Sequence, residues 1–90
     1  MKSVHVKIFG VVQGVFYRVS TQEKAVECNV FGWVKNCKDG SVEALFQGTR
    51  ENVDLILDWC RVGPEAAVVE SVQILDTKDC TNPEEGFNIL

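Results

Sequence analysis

The stretch VFGWVKNCKDGSVEALFQG, Val30 to Gly48, limits the possible folds more than any other part of the chain. Asp39 and Gly40 stand between two runs rich in branched and aromatic residues, and that pair tolerates the backbone of a tight turn, so the runs form a β-hairpin. In the second run Val42, Ala44 and Phe46 alternate with Glu43, Leu45 and Gln47, which gives the strand one apolar face.

Helical patterns flank this hairpin on both sides. Before it, YRVSTQEKAVECN places Tyr17, Thr21, Ala25 and Cys28 on one side of a helix, and Asn29 suits its end. After it, Val53, Ile56, Leu57 and Cys60 form an amphipathic stripe that Thr49 can cap and that Gly63 and Pro64 stop. Val4, Val6 and Ile8 alternate with His5 and Lys7 as a first strand. AAVVESVQIL reads as a fourth strand, DTKDCTNPEEG as a surface loop and FNIL as a short last strand.

The order β-α-β-β-α-β plus one strand predicts an α/β (α+β) fold, a two-layer ferredoxin-like sandwich with both helices on one face of a mostly antiparallel sheet. The chain of 90 residues shows no repeat or linker, so residues 1–90 are expected to form one domain. Following strand directions, one edge should gather the loop from Gly10 to Phe16, the start of the first helix with Arg18, the end of the second strand with Asn36, and the carboxylate of Leu90. Trp33 and Trp59 are expected to fill the core or its rim.

Composition narrows the partners. Hydrophobic residues make up 46% and charged residues 24%, a globular balance. A net charge of −4 gives no overall field for nucleic acid or anionic lipid, so any anion must be captured locally. No apolar run approaches the roughly 20 residues needed to span a bilayer, and the start lacks a signal-peptide core, which points to the cytoplasm. Cys28, Cys37, Cys60 and Cys80 lack metal-finger spacing and are expected as free thiols. No metal or other cofactor is expected.

The loop GVVQGVFYR sets Gly10, Gln13 and Gly14 close together in a β-rich stretch and ends on Arg18. A loop entering a helix N-terminus directs backbone N–H groups at one point, where the helix dipole adds positive character. A guanidinium one turn into the helix can fork onto phosphate oxygens. The Walker and dinucleotide glycine patterns are both missing. From the residues alone, two interpretations stand together: an anion site, and a bend whose arginine is a solvated surface charge.

GVVQGVFYR followed by GWVKN and DGSVEALFQG resembles the acylphosphatase family, and the similarity continues through WCRVGPEAAVVESV to FNI. The resemblance implies hydrolysis of the carboxyl-phosphate bond of small acyl phosphates. It implies that backbone N–H groups of Val12, Gln13, Gly14, Val15 and Phe16 hold the phosphate with the Arg18 side chain, and that the Asn36 amide positions the attacking water. Tyr17 replaces the family's common phenylalanine, Phe16 a glycine common in bacterial members, and Leu90 a frequent arginine or aromatic residue. The first two changes bear on loop rigidity and substrate fit.

The expected chemistry is metal-free, in-line attack of water on phosphorus, with catalysis mainly by positioning and charge stabilisation. A departing carboxylate, whose acid has a pKa near ~4, hardly needs a general acid. No base is visible: His5 lies mid-strand, away from the loop, and Glu23 and Glu27 belong to the solvated helix face. The Leu90 carboxylate is a candidate partner for Arg18, and Cys37, beside Asn36, reads as a small side chain at a tolerant strand end, with oxidation as its functional alternative. The alternatives are a noncatalytic anion-binding regulatory module of the same fold and an RNA-recognition module, the latter opposed by the absence of a basic aromatic motif on the third strand. The expected protein is a monomer that acts on a small molecule, without nucleic acid or membrane.

Overall fold

The computed structural model describes all 90 residues. Seven elements follow in the expected order: β1 (Lys2–Val11), α1 (Tyr17–Glu27), β2 (Phe31–Asn36), β3 (Val42–Gly48), α2 (Arg50–Cys60), β4 (Val68–Asp79) and β5 (Phe87–Ile89). They build one five-stranded sheet in the order β4-β1-β3-β2-β5. β1 is antiparallel to β3 and β4, β2 is antiparallel to β3, and only β2 and β5 run parallel. These directions are the ones inferred from the sequence, so the ends of β1 and β2 and the start of α1 lie at the same edge.

Alternation decides which face carries the helices. Val4, Val6 and Ile8 of β1, Val34 of β2, and Val42, Ala44 and Phe46 of β3 are fully buried. They join Tyr17 and Ala25 of α1 and Val53, Ile56, Leu57 and Cys60 of α2 in a single core. Phe87 brings β5 into it by stacking on Phe46, with ring centroids 5.8 Å apart. Gln22 of α1 donates to the Phe87 carbonyl at 2.8 Å, fixing that short strand under the helix.

Local signals set the helix limits. The Thr49 hydroxyl accepts from the Asn52 N–H at 3.2 Å and caps α2, a contact worth about 1 kcal/mol. Asn29 ends the first helical segment in a left-handed conformation, φ 55°, which asparagine tolerates better than most residues. The buried Tyr17 hydroxyl donates to the Cys60 carbonyl at 2.8 Å, joining the start of α1 to the end of α2.

Three expectations need correction. β4 runs to Asp79, so Asp76, Thr77, Lys78 and Asp79, expected in a loop, continue the strand. They pair with His5, Val4, Ser3 and Lys2, and β1 supplies backbone partners that polar side chains on an outer strand do not forbid. Gly10, expected in the loop, belongs to β1 at a shift of register against β4. With φ 129°, a Cβ there would stand 2.1 Å from the Val68 carbonyl oxygen, so this glycine serves strand pairing. Trp33 is not in the core: its neighbour Val34 faces inward, and the indole packs on the opposite sheet face against His5, with Lys35 over it.

Candidate functional site

The loop after β1 consists of Val12 to Phe16, and buried Val12 anchors it. Gly14 takes φ 76° with open space where a side chain would be, and the chain enters α1 through Phe16 at φ 64°. No side chain caps this helix. The first helical hydrogen bond is from the Ser20 N–H to the Phe16 carbonyl, 3.0 Å.

That leaves the loop's own donors unspent. None of the N–H groups from Val12 to Phe16 donates to a main-chain carbonyl. Side-chain oxygens accept main-chain N–H groups only from Ser41 and Asn52. Five adjacent donors at the positive end of a helix dipole thus have no acceptor in the protein, an arrangement chemically suited to an anion.

Arg18 and Asn36 meet beside it. A cavity of about 250 Å³ is lined by Val12, Gly14, Phe16, Tyr17, Arg18, Val19 and Asn36. Arg18 enters none of the ion pairs. Neither its guanidinium nor the Asn36 carboxamide has a hydrogen-bond partner in the protein. Two polar side chains 18 positions apart in sequence therefore face one space with their hydrogen-bonding capacity free. The expected pairing of Arg18 with the Leu90 carboxylate is absent, and the Leu90 N–H instead donates to the Val34 carbonyl at 2.9 Å.

The hairpin after Asn36 is held firmly. The Gln13 side chain donates from Nε2 to the Cys37 carbonyl at 2.7 Å and to the Ser41 carbonyl at 2.9 Å, binding the loop to both sides of the turn. Asp39 accepts from the Ser41 hydroxyl and N–H and pairs with Lys7; these contacts, led by the Ser41 hydroxyl, hold its carboxyl at a pKa of about 2. Glu43 accepts from His5, which draws its carboxyl below the ordinary range, and takes a weak contact from the Cys37 thiol at 3.5 Å. His5 thus braces the hairpin from the outer sheet face and does not reach the cavity. Burial pushes the Cys60 thiol up to about 12, and no two cysteines are bonded.

The bridge made by the Gln13 side chain was not visible in the sequence, where Gln13 counted only for its backbone. Its partners lie 24 and 28 positions away, and no local pattern signals such a contact. Val19 in the cavity wall was missed as well; helical spacing from Phe16, three residues earlier, was the available signal.

Comparison with known proteins identifies the family of the chain and its fold. The acylphosphatase family model matches residues 4–89. An acylphosphatase of Syntrophus aciditrophicus is 43% identical over 90 residues, covering 100% of this chain and 93% of that protein. One from Chloroflexus aurantiacus is 50% identical over 86 residues, covering 96% and 92%. Among solved structures, acylphosphatase from Bacillus subtilis superposes with a TM-score of 0.94 at 27% identity, covering 100% of this chain and 99% of that one.

Proposed function

The chain belongs to the acylphosphatase family and hydrolyses the carboxyl-phosphate bond of acyl phosphates, and we propose that it does so in the cavity between Arg18 and Asn36. The phosphate lies in the cradle of N–H groups from Val12, Gln13, Gly14, Val15 and Phe16, with the Arg18 guanidinium forking onto its oxygens. The Asn36 carboxamide orients a water in line with the bond to be broken.

Oxygen of that water attacks phosphorus as the bond from phosphorus to the acyl oxygen breaks, and its electron pair leaves on the carboxylate. The water proton passes to a phosphate oxygen. Charge spreads over the equatorial oxygens in a loose transition state, where preorganised donors act most strongly. A carboxylate whose acid has a pKa near ~4 leaves without help from a general acid. The chemistry needs no metal ion in this account, since Arg18 and the loop supply the positive charge.

One observation carries the proposal: the loop amides and the Arg18 guanidinium have no partner inside the protein, and Asn36 lines the same cavity. A noncatalytic anion module has nothing in its favour beside relatives that are acylphosphatases. The same view takes the protein as a cytoplasmic monomer without nucleic acid. No helix is long and apolar enough to cross a membrane.

The test is hydrolysis of acetyl phosphate in the presence of a chelator. Arg18→Ala should lose both inhibition by inorganic phosphate and rate, and Asn36→Ala should lose chiefly kcat, by about 100-fold or more, the scale for removing one polar group from a preorganised site. Equal activity in wild type and both variants would reject the assignment of the site.

A further inference from the structure

Phe16 combines two features that folding alone does not favour. The residue is 78% exposed, and its backbone lies in the left-handed region at φ 64°, ψ 23°, where a Cβ is disfavoured. The ring takes part in no aromatic pair and does not pack on the core. It does line the cavity shared with Arg18 and Asn36. Strained, exposed residues of this kind persist where they serve a site.

Val19 lies one turn farther along α1, is 47% exposed and lines the same cavity. Phe16 at the entry to the helix and Val19 in its first turn thus both present apolar surface to this cavity, as one apolar wall of it. A phosphate has no use for such a wall. Asn36 is the only lining residue from β2, while the others come from the loop and α1. In an in-line displacement the leaving oxygen stands opposite the attacking water, so the acyl group departs on the side away from Asn36.

On the basis of the acylphosphatase activity and site above, we propose that Phe16 and Val19 are specificity-determining residues that bind the acyl group. The preferred substrates are then acyl phosphates with an aromatic or branched apolar acyl group. An acetyl group is too small to cover the exposed ring, whereas a benzoyl group stacks on it.

The experiment compares kcat/KM for benzoyl phosphate and acetyl phosphate as a ratio. Both substrates carry the same phosphate, so any disturbance of the N–H cradle cancels. Phe16→Gly removes the left-handed strain along with the ring, so folding is not at risk. It should lower the benzoyl-to-acetyl ratio about tenfold, the scale of one lost aromatic contact, and Val19→Ala about threefold. Most of the change should be in KM for benzoyl phosphate, because an apolar contact is made in the ground state and the transition state alike. Phe16→Leu should keep most of the wild-type ratio. A ratio that stays within twofold of wild type in Phe16→Gly would overturn the wall while leaving the hydrolase intact. Failure of wild type to hydrolyse either substrate would instead sink the activity on which the wall depends.

Discussion

Gln13 Nε2 lies 2.7 Å from the Cys37 carbonyl oxygen, so the loop proposed to hold the phosphate is joined directly to the residue following Asn36. A second bond, 2.9 Å to the Ser41 carbonyl, spans the turn. One side chain thereby helps to hold the separation between the proposed phosphate loop and Asn36. In-line attack depends on that separation, since a misplacement of about 1 Å can cost on the order of 100-fold in rate.

Gln13→Ala should therefore lower kcat by about tenfold or more, while inhibition by inorganic phosphate changes little, because the backbone donors remain. Steady-state kinetics with phosphate as inhibitor separate the two. A parallel loss of phosphate affinity would mean that Gln13 shapes the cradle rather than positioning Asn36.

Tyr17→Phe removes the buried bond to the Cys60 carbonyl without changing the packing of the ring. The unpaired acceptor should cost about 1–3 kcal/mol of stability. Urea unfolding would show this as a lower midpoint at constant slope. An unchanged midpoint would mean that water replaces the hydroxyl.

Gly10 and Gly14 both have positive φ, yet alanine should affect them differently. At Gly10 the new methyl would lie 2.1 Å from the Val68 carbonyl oxygen, within the β1–β4 pairing, so Gly10→Ala should unfold the chain or displace β4. At Gly14 nothing lies within 4 Å, and Gly14→Ala should fold with a loss of only about 1–2 kcal/mol from the left-handed backbone. Circular dichroism and thermal melts distinguish these outcomes, and equal melting temperatures would refute the contrast.

The β2–β3 turn should weaken in acid. The Asp39 carboxyl titrates at about 2 in the folded protein, below its ordinary value of 3.8. A depressed carboxyl stabilises the fold above its unfolded pKa, and that contribution is lost as pH falls through the folded value. Stability should decline between about pH 4 and pH 2, and Glu43, whose carboxyl is also drawn down, adds to the same limb. In Asp39→Asn the melting temperature should start lower at neutral pH and fall less steeply across this window. A slope identical to wild type would show that the hairpin contacts do not couple to folding.

Much of the molecule was legible in the sequence because its signals are local. The stripe Val53, Ile56, Leu57 and Cys60 and the turn at Asp39 and Gly40 depend on side-chain period and backbone preference, and all four stripe residues are buried in α2. The order of elements then admits few topologies, and those place Arg18 and Asn36 at one edge of the sheet.

Where neighbours on other strands decide, no such local signal exists. Asp76 to Asp79 look like loop but take strand form, because β1 offers them backbone partners along its first four paired residues. Gly10 looks like part of the cradle but answers to a carbonyl of β4. The tie from Gln13 to Cys37 and Ser41 joins segments 24 and 28 residues apart. Local chemistry set the elements and the candidate groups; only packing between distant segments fixed the spacing of those groups, because a contact across the sheet leaves no periodic trace along the chain.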